Sequence, residues 1–552
     1  MLVRRTRAAA AVLAATVALA ACGGSGAPAA KATGSGAAAA STASAVTSYT
    51  PQQTLIVAMN LSGVITMDGN SAFEVPDQSA TRYIYDQLVT FPYGDLTNVQ
   101  PGLAKSWDVS ADGKTWTFHL RTDAKFSSGN PVTSADVVYS LKRFLNLKIQ
   151  PALSLLTQTG ITKDNVDQNV VATDPATVTI TLPKPFSPGA FLAVLSNTTL
   201  SVVDSKVVQA HDVNGDLGHA WLDTHSAGSG PYQLADWTRN VQIEMTPNPN
   251  YSEGPAPALK RIVFTNVNDN TGELDMVSKG NADVAMDLSP EQLASLQGNP
   301  KFAVFRGPEI TLMYLAMNVK NVPAFGNPDV RQAVKYAIDY NSIVKNLLQG
   351  DGQVWQGIIP NGIFAATKDQ PFSLDIAKAK QLLAKGGYPN GFSFDLTIGS
   401  GNEPGGVNAS QLAQAVAGTL SQAGITANIR QLATSEALPA FRAQKLQAAL
   451  FGWAMDYPDP SDFADAFADY TAHYVAYRES FDDPQLDQLS AQAASMANGP
   501  QRAAAYTQLN QLDQSGPTAV IYQPDQLVAH SAALKGLSYD GANYIDLPNL
   551  SK

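Results

Sequence analysis

The feature that most limits what this chain can become is a regular exchange of two hydrophobic periods across its second half. Short β-type runs at 261–265, 284–286, 394–398, 425–431 and 448–451 alternate with helical runs at 272–279, 328–339, 376–385, 408–422 and 435–444. Strands separated by helices long enough to cross back over a sheet specify an α/β layer arrangement. Two more helical runs, 484–496 and 501–513, lead into a further strand at 519–522. No segment repeats at a fixed period, which argues against a solenoid.

The first half is organised differently. Residues 54–60 (TLIVAMN) read as a strand, and 77–89 carries helical spacing through Tyr83, Ile84 and Leu88. A hairpin follows, in which 106–110 and 115–121 flank the turn Asp112-Gly113 and Trp116, Phe118 and Leu120 alternate onto one face. Thr133 or Ser134 then caps a helix, with Asp136 in its first turn and Val137, Val138, Leu141, Phe144 and Leu145 at helical spacing. Residues 177–182 read as another strand, closed by Pro183 and Pro185.

Of the 552 residues 45% are hydrophobic, enough for a large core, and the net charge of −11 makes nucleic acid a poor partner. The one cysteine, Cys22, leaves the body without a disulfide framework or a cysteine zinc site, so its stability rests on packing. Residues 1–22 read as a secretory leader: Arg4, Arg5 and Arg7 precede a short apolar stretch, 8–21, that is too short to span a bilayer. Leu19-Ala20-Ala21-Cys22 followed by Gly23 looks like a bacterial lipobox, whose cysteine would carry the lipid; the competing reading is a plain signal peptide with an incidental cysteine. Residues 23–50 are built almost wholly from Ala, Gly, Ser, Thr and Pro with Lys31 as their one charge, the composition of a flexible linker. Such a tether has an end-to-end distance of roughly 30 Å.

The stretch 103–143, LAKSWDVSADGKTWTFHLRTDAKFSSGNPVTSADVVYSLKR, resembles the signature segment of the bacterial family-5 extracellular solute-binding proteins, the oligopeptide, dipeptide and nickel type. Three further segments agree in order: 228–234 with Trp237, then 327–339 (NPDVRQAVKYAID), then 452–460 (GWAMDYPDP). Ser127-Ser128-Gly129 departs from the pattern, where many relatives carry an acidic residue before the glycine, and implies a changed turn. The resemblance covers essentially all of 54–540. It implies an α/β, two-lobed periplasmic-binding-protein-like fold with a cleft between lobes and an extra small subdomain in the first lobe. Lobe I would comprise 51–266 and 515–552, with the subdomain over about 92–200, and lobe II 267–514, the crossings lying near Val267 and Gln514.

By the same resemblance the chain is the solute-binding receptor of an ABC importer. It would be a monomer held by its lipid on the outer face of the cell membrane, passing a peptide or similar solute to permease subunits, with no cofactor, no metal and no catalysis of its own. An oligosaccharide or a chelated metal remains the alternative solute. Asp456 would pair with the ligand α-amino group; its other reading is a cap of the turn before Pro458. Trp453 offers an apolar or cation-facing wall, or core packing, and Tyr457 and Trp355 are further pocket candidates. Arg331 suits either a ligand carboxylate or a structural pairing.

Other chemistry fits less well. His211, His219 and His225 lack compact metal-ligand spacing, and in the calcium-like run from Asp212 the sixth position is Leu217 where a glycine is needed. Gly113-Lys114-Thr115 ends like a phosphate loop, but Asp108 stands where its first glycine belongs. A secreted hydrolase using Asp456 and Asp459 as paired carboxylates is the competing functional class, and a surface adhesion or signalling protein a third.

Overall fold

The computed structural model describes residues 49–148, 152–540 and 544–552. Residues 1–48, with the expected leader, Cys22 and most of the expected tether, lie outside the described residues. Among the described residues no helix is long and apolar enough to cross a membrane.

One strand organises the molecule. Ala519–Ser531 runs for 13 residues, far beyond the four that the sequence marks as β, because its two halves serve two different parts of one 12-stranded sheet. Its first half pairs antiparallel with Thr311–Met317 and with Gly352–Val354. Its second half, 525–531, pairs with Phe302–Pro308, and Ala529 and His530 also pair with Val284–Ala285.

On one side Thr54–Met59 lies parallel to Arg261–Asn266 and to Val284–Ala285, and the sheet continues antiparallel through Gln242–Pro247 to Tyr232–Thr238. On the other side Phe392–Ile398 lies parallel to Ile425–Gln431 and to Ala448–Ala454, the α/β alternation expected from the sequence. Ala448–Ala454 then joins this set to Thr311–Met317. All seven residues of Thr311–Met317 are buried, as befits a strand covered on both faces.

The predicted hairpin forms and belongs to a separate four-stranded sheet, in the order Ala104–Val109, Thr115–Leu120, Thr177–Thr181, Val170–Asp174. Gly113 turns it with φ +72°, and the alternation places Trp116, Phe118 and Leu120 in a core shared with Phe144, Phe191 and Ile180. The helix Ser134–Leu147 begins where its cap predicts: the Asp136 carboxylate accepts from the Thr133 backbone N–H at 2.9 Å and from its hydroxyl at 2.6 Å. The same carboxylate accepts from Ser205 N–H and Oγ, which ties that helix to the segment after 200.

Candidate functional site

The described residues enclose two cavities that bear on function. The smaller, about 320 Å³, takes its walls from 78–102, 196–198, 251–253 and 546–549 on one side and from Met455, Asp456 and Pro458 on the other. The larger, about 760 Å³, is lined by 59–79, 267–288 and 400–406, with Glu309 and Asp525 also in its wall. Both are of a size that suits a small solute.

Asp456 follows the end of the strand Ala448–Ala454, so its carboxyl emerges at a strand terminus and lines the smaller cavity. Its backbone is held from both sides: its N–H donates to Asp462 Oδ2 at 3.0 Å, and its carbonyl accepts from the Asn197 amide at 2.6 Å. The turn that follows is capped by Asp459, whose carboxylate accepts from Ser461 N–H at 2.9 Å and is gripped by Arg502 at 2.6 and 2.8 Å. The Asp456 carboxyl makes no capping hydrogen bond among the described residues, and Asp459, paired and 3% exposed, is not placed as a second reacting carboxylate. Burial pushes the Asp456 carboxyl up to about 7, reinforced by the negative charge of Glu74 and opposed by Arg478.

The other sequence candidates take different places. Trp453 packs edge-on against Tyr474 and Phe467, at 5.2 and 6.1 Å between centroids, with the Arg478 guanidinium 5.5 Å from its ring. It does not line either cavity, and its indole N–H is buried without an acceptor among the described residues. Tyr457 is a core residue: it is 3% exposed, and its hydroxyl donates to Gln158 at 2.9 Å and shares Ser461. Trp355 is likewise buried, with its indole N–H donated to the Ile359 carbonyl at 3.0 Å. Arg331 spends its guanidinium on the carbonyls of Phe325, Gly326 and Ser515, the structural alternative.

The histidines are accounted for as well. His211 and His225 stack on opposite sides of the Trp221 neighbourhood at 4.2 and 4.4 Å, while His219 meets Asp68 at 2.8 Å. Asp212 and Asp216 accept from the backbone of their own loop.

What the sequence did not single out is the wall opposite Asp456. Asp86, Glu253, Thr198 and Asp546 come from four distant points in the chain and meet only in the cavity. Asp86 is positioned by the segment Gly228-Ser229-Gly230: Ser229 Oγ donates to its carboxylate at 2.8 Å and Gly230 N–H donates to the Ile84 carbonyl at 3.0 Å. A Cβ on Gly228 would lie 2.0 Å from the Ile84 carbonyl oxygen, so backbone meets backbone there and only glycine fits. Gly228→Ala should cost about 1 to 3 kcal/mol or more of stability, read from urea unfolding, because Ile84 to Asp86 must shift to admit it.

Burial also raises Asp86 to about 6, Glu253 to about 7 and Glu403 of the larger cavity to about 7. A carboxyl raised in the folded state holds a proton there that the unfolded chain has already released, so these groups lower stability as pH climbs from about 4 through about 7. His219, raised by its bond to Asp68, acts in the same direction. The ligand-free protein should therefore melt at a higher temperature near pH 5 than near pH 8, and a bound cation should narrow the gap by favouring the ionised carboxylates. Scanning fluorimetry across that range, with and without ligand, measures both.

Two sets of strands meeting on shared long strands, with polar cavities between them, define a two-lobed solute-binding protein. Residues 98–474 match the bacterial extracellular solute-binding proteins, family 5 Middle, and the chain belongs to that family. It is 28% identical over 503 residues to the probable D,D-dipeptide-binding periplasmic protein of Escherichia coli K12, covering 89% of this chain and 92% of that one. The glutathione-binding protein of Salmonella typhimurium is 31% identical over 378 residues, 68% of this chain and 69% of its own. Among solved structures, the dipeptide-binding protein of Pseudoalteromonas sp. SM9913 in complex with Met-Leu superposes with a TM-score of 0.79 at 23% identity, over 91% of this chain and 100% of that one. The Helicobacter pylori protein in complex with the peptide STSA gives 0.77 at 23% identity, over 90% and 98%. The two-lobed α/β fold expected from the sequence is thus borne out.

Proposed function

We propose that this protein captures a short peptide or a closely similar amine-bearing solute between its lobes and hands it to the permease subunits of an ABC importer. The observation that carries the reading is the Asp456 carboxyl: it lines the inter-lobe cavity, burial raises it, and no hydrogen bond from a described residue satisfies it. A ligand ammonium would supply the missing partner, a charge-assisted bond worth about 1.5 to 3 kcal/mol. The peptide-bound relatives support the same reading. Relatives of the family are substrate-binding proteins, and receptor rather than hydrolase is the role proposed here.

The lobes would pivot where the sheet changes sides, at Glu309-Ile310 and at Pro524-Asp525, rather than at Val267 and Gln514. Strand pairing supports grouping the intervening strands with the first lobe: 284–285 hydrogen-bonds to Thr54–Met59 and to 529–530, and 302–308 to 525–531. Two extended connections side by side suit hinge closure, because each absorbs a rotation in a few backbone angles. The leader and Cys22, in this proposal, put the lipid anchor at the outer membrane face, and the tether lets the body move above it.

Calorimetric titration with dipeptides, oligosaccharides and chelated metals tests the function. Saturable binding of dipeptides, with the solute recovered unchanged, is expected; binding of sugars or chelates alone would contradict the peptide reading, and turnover would contradict the receptor.

A further inference from the structure

The smaller cavity holds more carboxyl groups than one amine needs. Four carboxylates line it, Asp86, Glu253, Asp456 and Asp546, against one cation, Arg82, which lies 5.2 Å from the Tyr93 ring. Arg121, behind the wall, reaches Glu253 at 3.4 Å but is shared with Asp123 and with the Ser252 carbonyl. Two buried polar atoms there have no partner among the described residues: Asp546 Oδ1 and Thr198 Oγ1, each on a side chain 6% exposed. Asp546 Oδ2, by contrast, accepts from Asn549 at 2.7 Å and from Ser538 at 3.3 Å. An unpaired carboxylate oxygen at that depth costs free energy unless a donor arrives.

The larger cavity repeats the sign. Asp269, Glu273, Asp287, Glu309, Glu403 and Asp525 line it, and no Lys or Arg does. The excess of carboxylates therefore extends along both cavities between the lobes.

We propose that the solute carries at least two positive charges, and that a second cationic group, an ammonium or guanidinium, seats against Asp86, Glu253 and Asp546 while its amino terminus meets Asp456. The inference rests on the receptor reading above and narrows it to basic peptides or solutes of like charge. A group bearing several N–H donors can serve Asp546 Oδ1 and the Thr198 hydroxyl together, and its positive charge also offsets the surrounding carboxyl groups, which a neutral amide does not. Low-dielectric walls strengthen each of these contacts relative to water.

The test is calorimetric titration of the full-length protein with Ala-Ala, Ala-Lys, Lys-Ala, Ala-Glu and 1,4-diaminobutane. At least one lysine dipeptide should bind about tenfold to a hundredfold tighter than Ala-Ala, the range of one charge-assisted hydrogen bond, and Ala-Glu should bind weakest. The ratio of lysine to alanine affinities should fall at least threefold in Glu253→Gln and in Asp546→Asn; a ratio is unmoved by a variant that merely folds less well. Equal affinity for Ala-Ala and both lysine dipeptides, or a ratio unchanged in both variants, overturns the inference and leaves the receptor standing. The diamine binding where no dipeptide does would support the second cation position and remove the peptide reading. No binding of any of the five would overturn both.

Discussion

Arg143→Met should destabilise the folded protein by about 3 to 5 kcal/mol, among the largest effects of any single substitution outside the cavities. Arg143 and Asp68 are both fully buried and form a fork-to-fork pair at 2.7 and 2.6 Å. The same guanidinium donates to Asn70 Oδ1 at 3.0 Å and to the Leu217 carbonyl at 2.9 Å. The Arg143 guanidinium and the His219 ring hold the Asp68 carboxyl below the usual carboxylate range in spite of burial that would raise it. Removing the arginine leaves that buried carboxylate with the half-buried His219 as its nearest ionisable partner and, among the described residues, only the Asn70 N–H and Ser71 hydroxyl besides. Asp68→Asn should cost a comparable amount, and the double variant less than the two singles combined, because each single strands the other's charge. Urea midpoints followed by circular dichroism give all three; an Arg143→Met protein as stable as wild type would show that the pair contributes nothing.

Asp456→Asn should leave the ligand-free fold intact and weaken binding of an amine-bearing solute by about 2 to 5 kcal/mol, roughly thirtyfold to several thousandfold. The two results separate because the two halves of the residue do different things. Its backbone N–H and carbonyl are tied to Asp462 and Asn197 and survive the substitution. The side chain receives no hydrogen bond from a described residue and carries an unfavourable burial, so its loss relieves the empty protein and deprives the complex. An unchanged affinity with a lowered melting temperature would reverse the assignment and make Asp456 structural.

The sequence displays those parts of the fold that have a period. The hairpin at Trp116 to Leu120 is legible because one face is buried and the other is not, and the capped helix from Ser134 because Thr133 and Asp136 satisfy its first N–H groups locally. Thr311–Met317 has no such mark. Buried on both faces, it shows no alternation, and its leucines, alanine and methionines suit a helix equally well, so the strand linking the two halves of the sheet passes unread. The second half of Ala519–Ser531 is missed for the opposite reason: Gln523, Pro524, Asp525 and Gln526 look like a loop, and only pairing with 352–354 and then with 302–308 makes them a strand.

The site divides the same way. Asp456 is legible because it sits in Gly-Trp-Ala-Met-Asp-Tyr after a strand. Tyr457, one residue on, points into the core instead, a change of side that local sequence does not encode. Asp86, Glu253 and Asp546 lie hundreds of residues apart and converge through tertiary packing alone. Arg143 closes the segment 103–143, yet nothing in its neighbours marks an arginine as fully buried.

The measurement that bears most directly on the central claim is a crystal structure of the protein with a bound lysine-containing dipeptide. The account predicts the peptide enclosed between the lobes, its α-ammonium within about 3 Å of the Asp456 carboxylate. A peptide bound outside the cleft, or inside it with its ammonium remote from Asp456, would contradict it.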